Sequence, residues 1–87
     1  MTSKEFLKVM TELQKSKKSE LNRRTRQSRY LRKRSDEAYE KKNNEMHEAY
    51  EECIKYHQQK MIVLICEIGK IEQFFNNLDT LKEGPLI

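Results

Sequence analysis

Apolar residues return along this chain at helical spacing from the first turn to the last. Phe6, Met10 and Leu13 recur at i, i+4 and i+7, which marks one face of an amphipathic helix. Thr2-Ser3-Lys4-Glu5 stands just before them and fits a capping box, with Thr2 as cap and Glu5 reaching back. In the second half, Ile54, His57, Met61, Leu64, Ile68, Ile71, Phe75 and Leu78 alternate in steps of three and four. That is a coiled-coil seam. Ile62, Val63 and Ile65 widen it, and Phe74 accompanies Phe75, so this face suits a helix with more than one neighbour. The apolar run at 61–65 also fits a buried strand, but the periodic helical flanks on both sides favour a helix.

Helix breakers are scarce. Glycine occurs only at Gly69 and Gly84 and proline only at Pro85, and no Asn-Gly or Asp-Gly hairpin turn is present. The pattern therefore predicts an all-α protein: long helices forming a helical hairpin or coiled coil, assembled as an oligomer. Residues 1–87 form one helical domain in this view. An amphipathic and then basic helix spans 2–34, an oligomerising helix spans 36–82, and 83–87 is a tail. The break is placed at Ser35-Asp36-Glu37, because Lys33 and Arg34 suit a helix C-terminus and Ser, Asp and Glu suit the next N-terminus. Asn43-Asn44 is the weaker alternative, and Gly84-Pro85 should end the last helix.

An eleven-residue repeat overlies the seam. Glu37-Ala38-Tyr39-Glu40 returns as Glu48-Ala49-Tyr50-Glu51. Eleven residues over three turns would favour a straight or slightly right-handed coil. The predicted oligomer interface is Tyr50, Ile54, His57, Met61, Leu64, Ile65, Ile68, Ile71, Phe75 and Leu78.

Composition sharpens the need for partners. The chain has 87 residues, of which 36% are hydrophobic and 37% charged. So small and polar a chain has little interior to offer, and burial between chains is the expected remedy. No secretory signal is visible at the N-terminus, and the longest apolar run, 61–66, is too short to cross a bilayer. The expectation is a soluble, intracellular protein without membrane contact, in cytoplasm or nucleus. Cys53 and Cys66 should be reduced there, and on one helix they lie too far apart to bridge.

Charge changes the picture most. All six arginines fall between Arg23 and Arg34, and residues 15–34 hold ten basic side chains against one acid, Glu20. As a helix, this segment would place eight of the ten on one broad arc, leaving out Lys17 and Arg24; Leu13, Leu21, Ser28 and Leu31 lie opposite. The candidate nucleic-acid-binding residues are Lys17, Lys18, Arg23, Arg24, Arg26, Arg29, Arg32, Lys33 and Arg34, acting chiefly through phosphates. Tyr30 is the candidate for base stacking. Over five residues, Thr25-Arg26-Gln27-Ser28-Arg29 resembles the arginine-rich RNA-binding helix of lentiviral Rev proteins. The neighbouring stretch also resembles a leucine-zipper basic region superficially, but it has no central alanine pair and no leucine every seventh residue downstream.

Other uses of the cluster compete, and a nuclear-import signal or a simple solubilising face is one of them. In a hairpin, the acidic residues 36–52 could lie beside 15–34 and neutralise it internally. Alternatively the chain is an adaptor, scaffold or inhibitor whose basic face meets an acidic protein surface. No glycine-rich phosphate loop, nucleophile elbow or paired CxxC is present, so no enzyme, cofactor or metal is expected. Cys53 and His57, four residues apart, could supply half of a Cys2His2 site across a two-fold axis, but packing at an interface accounts for them more simply.

Overall fold

A computed structural model of the chain describes residues 2–83, with side chains to Leu78. The predicted capping box is present. The Thr2 hydroxyl accepts from the Glu5 backbone N–H at 3.2 Å, and the Glu5 carboxylate accepts from the Thr2 N–H at 3.3 Å. From there α1 runs unbroken over Ser3–Glu40, and α2 follows over Asn44–Glu83. The two pack antiparallel as a hairpin 68 Å long. The radius of gyration is 19.6 Å, against about 12 Å for a globular domain of this length. The helix end expected at Gly84-Pro85 and the tail lie outside the described residues.

The break between helices falls at residues 41–43 and not at Ser35. Ser35 is fully buried, and its hydroxyl is used across the hairpin instead of capping a new helix. The true turn is a Schellman motif. Asn43 N–H donates to Ala38 O at 2.9 Å, Lys42 N–H donates to Tyr39 O at 3.0 Å, and Lys42 is left-handed with φ 58°. Asn43 then starts α2, its side-chain oxygen accepting from Met46 N–H at 3.3 Å.

Burial follows a seven-residue period. On α1, Leu7, Gln14, Leu21, Ser28 and Ser35 alternate with Met10, Lys17, Arg24, Leu31 and Ala38 as its half-buried or buried line. On α2 the line is His47, Ile54, Met61, Ile68 and Phe75 alternating with Tyr50, His57, Leu64, Ile71 and Leu78. The predicted seam is thus the hairpin's own core, and its deepest residues are Ile54, Leu64, Ile68 and Ile71. Of the residues expected between chains, only Ile65 stays exposed, at 55%.

The eleven-residue repeat does not set the packing. Its first copy lies on α1 and its second on α2, with the turn between them. Ala38 is buried where Ala49 is exposed, and Tyr39 is exposed where Tyr50 is half-buried, so the copies are not equivalent.

Candidate nucleic-acid interface

Half of the core line of α1 is polar, at Gln14, Lys17, Arg24, Ser28 and Ser35, and this decides which basic residues are drawn inward. Lys17 and Arg24, the two predicted to leave the cationic arc, sit in the seam. Lys17 donates to Glu67 of α2. Arg24, with a side chain only 15% exposed, donates from Nε and Nη2 to one Glu20 oxygen, both at 3.1 Å. Its Nη1 lies 3.2 Å from His57 Nδ1, so that nitrogen accepts and carries no proton. Its guanidinium also lies 5.8 Å from the Tyr56 ring centre. These two cations bind α2 and set the hairpin's register.

A second group flanks the seam. Lys18 lies 3.5 Å from Glu72, Arg32 donates to Glu51 at 2.7 Å, and Arg34 donates to Glu37 at 3.3 Å. Hydrogen bonding with Tyr50, followed by the fields of Tyr30, Tyr50 and Glu37, favours the charged form of Arg34. These exposed pairs contribute about 0–1 kcal/mol each, so they bias orientation more than they add stability.

The third group forms no ion pair with α2 among the described residues. Arg23, Arg26, Arg29 and Lys33 are exposed on the outer face of α1, with Lys15 two turns earlier. Among the described residues, the carboxylate at ion-pairing distance from Arg23 is Glu20, at 4.0 Å. Among the described residues, Arg26 and Arg29 have no carboxylate at ion-pairing distance. The stripe from Lys15 to Lys33 runs ~27 Å at ~1.5 Å per residue. Tyr30 stands in it 61% exposed, with the Arg34 guanidinium 6.0 Å from its ring centre.

The hairpin's register explains why these arginines are left over. The pairs Lys17–Glu67, Arg24–His57, Ser28–Met61 and Arg32–Glu51 set residues 15–34 against the middle of α2. Most of the acidic segment 36–52 wraps around the turn and lies beside the last turns of α1. It reaches the arginines only through Glu37 and Glu51. Internal neutralisation is therefore partial.

Sequence inspection missed one cluster. Ser35 Oγ donates to Glu51 Oε1 at 2.8 Å, while His47 Nδ1 lies 3.0 Å from Ser35 Oγ and 3.1 Å from Ser35 O. Only an N–H can serve that carbonyl, so His47 carries its proton on Nδ1. The carboxylate binds the serine directly and not the imidazole, and the serine is buried, so this is a structural knot and not a nucleophile relay. Twelve- and sixteen-residue separations hid it from any local motif.

Cys53 and Cys66 are both exposed free thiols. Cys53 brings no third ligand to His57: among the described residues no group of three or more His, Cys, Asp or Glu could hold a metal ion. Among them too, no helix is long and apolar enough to cross a membrane. Fold and site together define an all-α helical hairpin with one cationic outer face. Comparison with protein-family models, curated proteins and solved structures finds no match.

Proposed function

We propose that this protein binds nucleic acid through the phosphate backbone, with the outer face of α1 as the contact surface. One observation carries the proposal: Arg26 and Arg29 are exposed side by side with no carboxylate at ion-pairing distance among the described residues, between Arg23 and Lys33. A guanidinium left without an internal anion, on a rigid helix, is preorganised for phosphate. Contacts to phosphate carry no sequence information, so binding is expected to depend little on sequence. Tyr30 adds a flat, exposed ring beside the stripe, which favours single strands with accessible bases.

The test is a mobility shift at low salt with mixed-sequence single-stranded and duplex nucleic acid. The expected outcome is binding that the double variant Arg26→Glu/Arg29→Glu abolishes while its helical circular dichroism stays unchanged. No shift with the native chain would overturn the proposal. So would a partner protein that stays bound to the native chain after nuclease treatment and is released by the same double variant.

A further inference from the structure

The α2 helix carries a second line of residues beside the seam, exposed over most of its length. Lys55, Gln58, Ile62, Ile65, Gly69 and Glu72 alternate in steps of three and four, one position round from the seam, and all are exposed. At its centre Ile62 and Ile65 are 62% and 55% exposed, with Val63 beside them at 53%. Adjacent bare isoleucines on a helix whose other face is already packed call for an apolar neighbour.

Gly69 points the same way. It lies mid-helix, and a Cβ built on it would meet nothing within 4 Å. Glycine is the poorest helix former after proline, and no contact within the chain needs one here. Its use is intelligible if another backbone comes close at this position.

We infer that this line is a self-association surface on which a second copy of the chain packs α2 against α2, antiparallel and related by a two-fold axis. The order of residues selects that occupant. A two-fold axis between Ile62 and Ile65 sets Ile62 against Ile65 of the second copy, twice. The same register sets Gln58 against the glycine at 69 and Lys55 against Glu72 of the second copy, again twice. Shifting the register by one layer puts an isoleucine opposite glutamate or glutamine. Opposite charges at equal distances on either side of the isoleucines, Lys55 on one and Glu72 on the other, are what a two-fold contact can pair with itself. Within one chain, Lys55 has no carboxylate at ion-pairing distance among the described residues, and Glu72 holds Lys18 only at 3.5 Å with both side chains about half exposed. The contact leaves the seam intact and the outer face of α1 uncovered, so it is independent of nucleic-acid binding.

The experiment is sedimentation equilibrium of the full chain, without nucleic acid, over a wide concentration range. The expected result is a monomer–dimer equilibrium. Ile62→Glu/Ile65→Glu holds the chain at monomer mass with unchanged helical circular dichroism. Lys55→Glu or Glu72→Lys alone weakens dimerisation by about tenfold, since each sets like charges together at two symmetric places, and combining them restores it. Monomer mass at every concentration would overturn the inference. A dimer indifferent to the isoleucine variant would do so as well, since it would have formed by exchange of helices through the seam. Single charge variants that weaken the dimer without rescue in the double would overturn the register.

Discussion

Glu51 shows how a single side chain ties the hairpin to solution conditions. It accepts from the buried Ser35 hydroxyl at 2.8 Å and from Arg32 at 2.7 Å, and both partners belong to α1. The hydrogen bond from Ser35 is the main reason its carboxyl titrates below its ordinary value of 4.5; desolvation opposes this, and Arg32, His47 and Lys55 add their positive fields. A carboxyl with a lowered pKa in the folded state favours folding when ionised. That contribution is complete above the ordinary carboxylate pKa and is lost as pH falls through the lower, folded value. The urea midpoint of the native chain is therefore expected to hold steady down to the ordinary carboxylate range and to fall below it. In Glu51→Gln the acid-side fall should be shallower, because the group that binds the extra proton on unfolding is gone. Unfolding followed by circular dichroism at stepped pH checks this. An identical acid-side profile in the variant would show that the link to Ser35 carries none of the dependence.

At the scale of the helix, the element type was legible, while the point of reversal was legible only as the weaker alternative at Asn43-Asn44, next to which the turn falls. Capping by Thr2 and the seam from Ile54 to Leu78 could be read directly, because each depends on residues within a turn or two of one another. Ser35-Asp36-Glu37 looked like a helix start because Ser, Asp and Glu are good there locally. In the folded chain, tertiary partners outbid that preference: Ser35 is claimed by Glu51, sixteen residues away, and Ala38 by the core. The real turn lacks the glycine that would have announced it. Lys42 occupies the left-handed position with φ 58°, where an L side chain crowds the following carbonyl oxygen. Lys42→Gly relieves that crowding and preserves both Schellman hydrogen bonds. Glycine's greater freedom in the unfolded chain offsets part of the gain, so a stabilisation of about 1 kcal/mol is expected. Thermal and urea unfolding measure it, and a destabilised variant would mean that the Lys42 side chain itself holds the turn. The division of the basic residues was half legible in the same way. Helical geometry alone separated Lys17 and Arg24 from the rest, but which of the others keep an internal carboxylate follows from the register of two long helices, which no local pattern specifies.

For the molecule as a whole, that division turns ten basic residues into a countable prediction. If binding is electrostatic, the slope of log K against log[salt] reports how many phosphates are neutralised, at about −0.7 per phosphate on single strands and about −0.9 on duplex. Were the whole cluster available, the slope would be steep. The hairpin instead turns Lys17 and Arg24 inward and gives Lys18, Arg32 and Arg34 carboxylate partners on their own chain. Lys15, Arg23, Arg26, Arg29 and Lys33 remain as the outward set. A slope of about −3.5 is thus expected on single-stranded nucleic acid if each of these meets one phosphate. Removing Arg29 as Arg29→Gln should flatten the slope by close to one phosphate. Arg24→Gln should leave it unchanged, although that variant breaks the contacts to Glu20 and His57 and shifts the unfolding midpoint. Composition and net charge change identically in the two variants, so only the direction each arginine faces can separate them. Equal effects of Arg24→Gln and Arg29→Gln on the slope would mean that the cluster acts as undirected charge and that the hairpin does not select the contact surface.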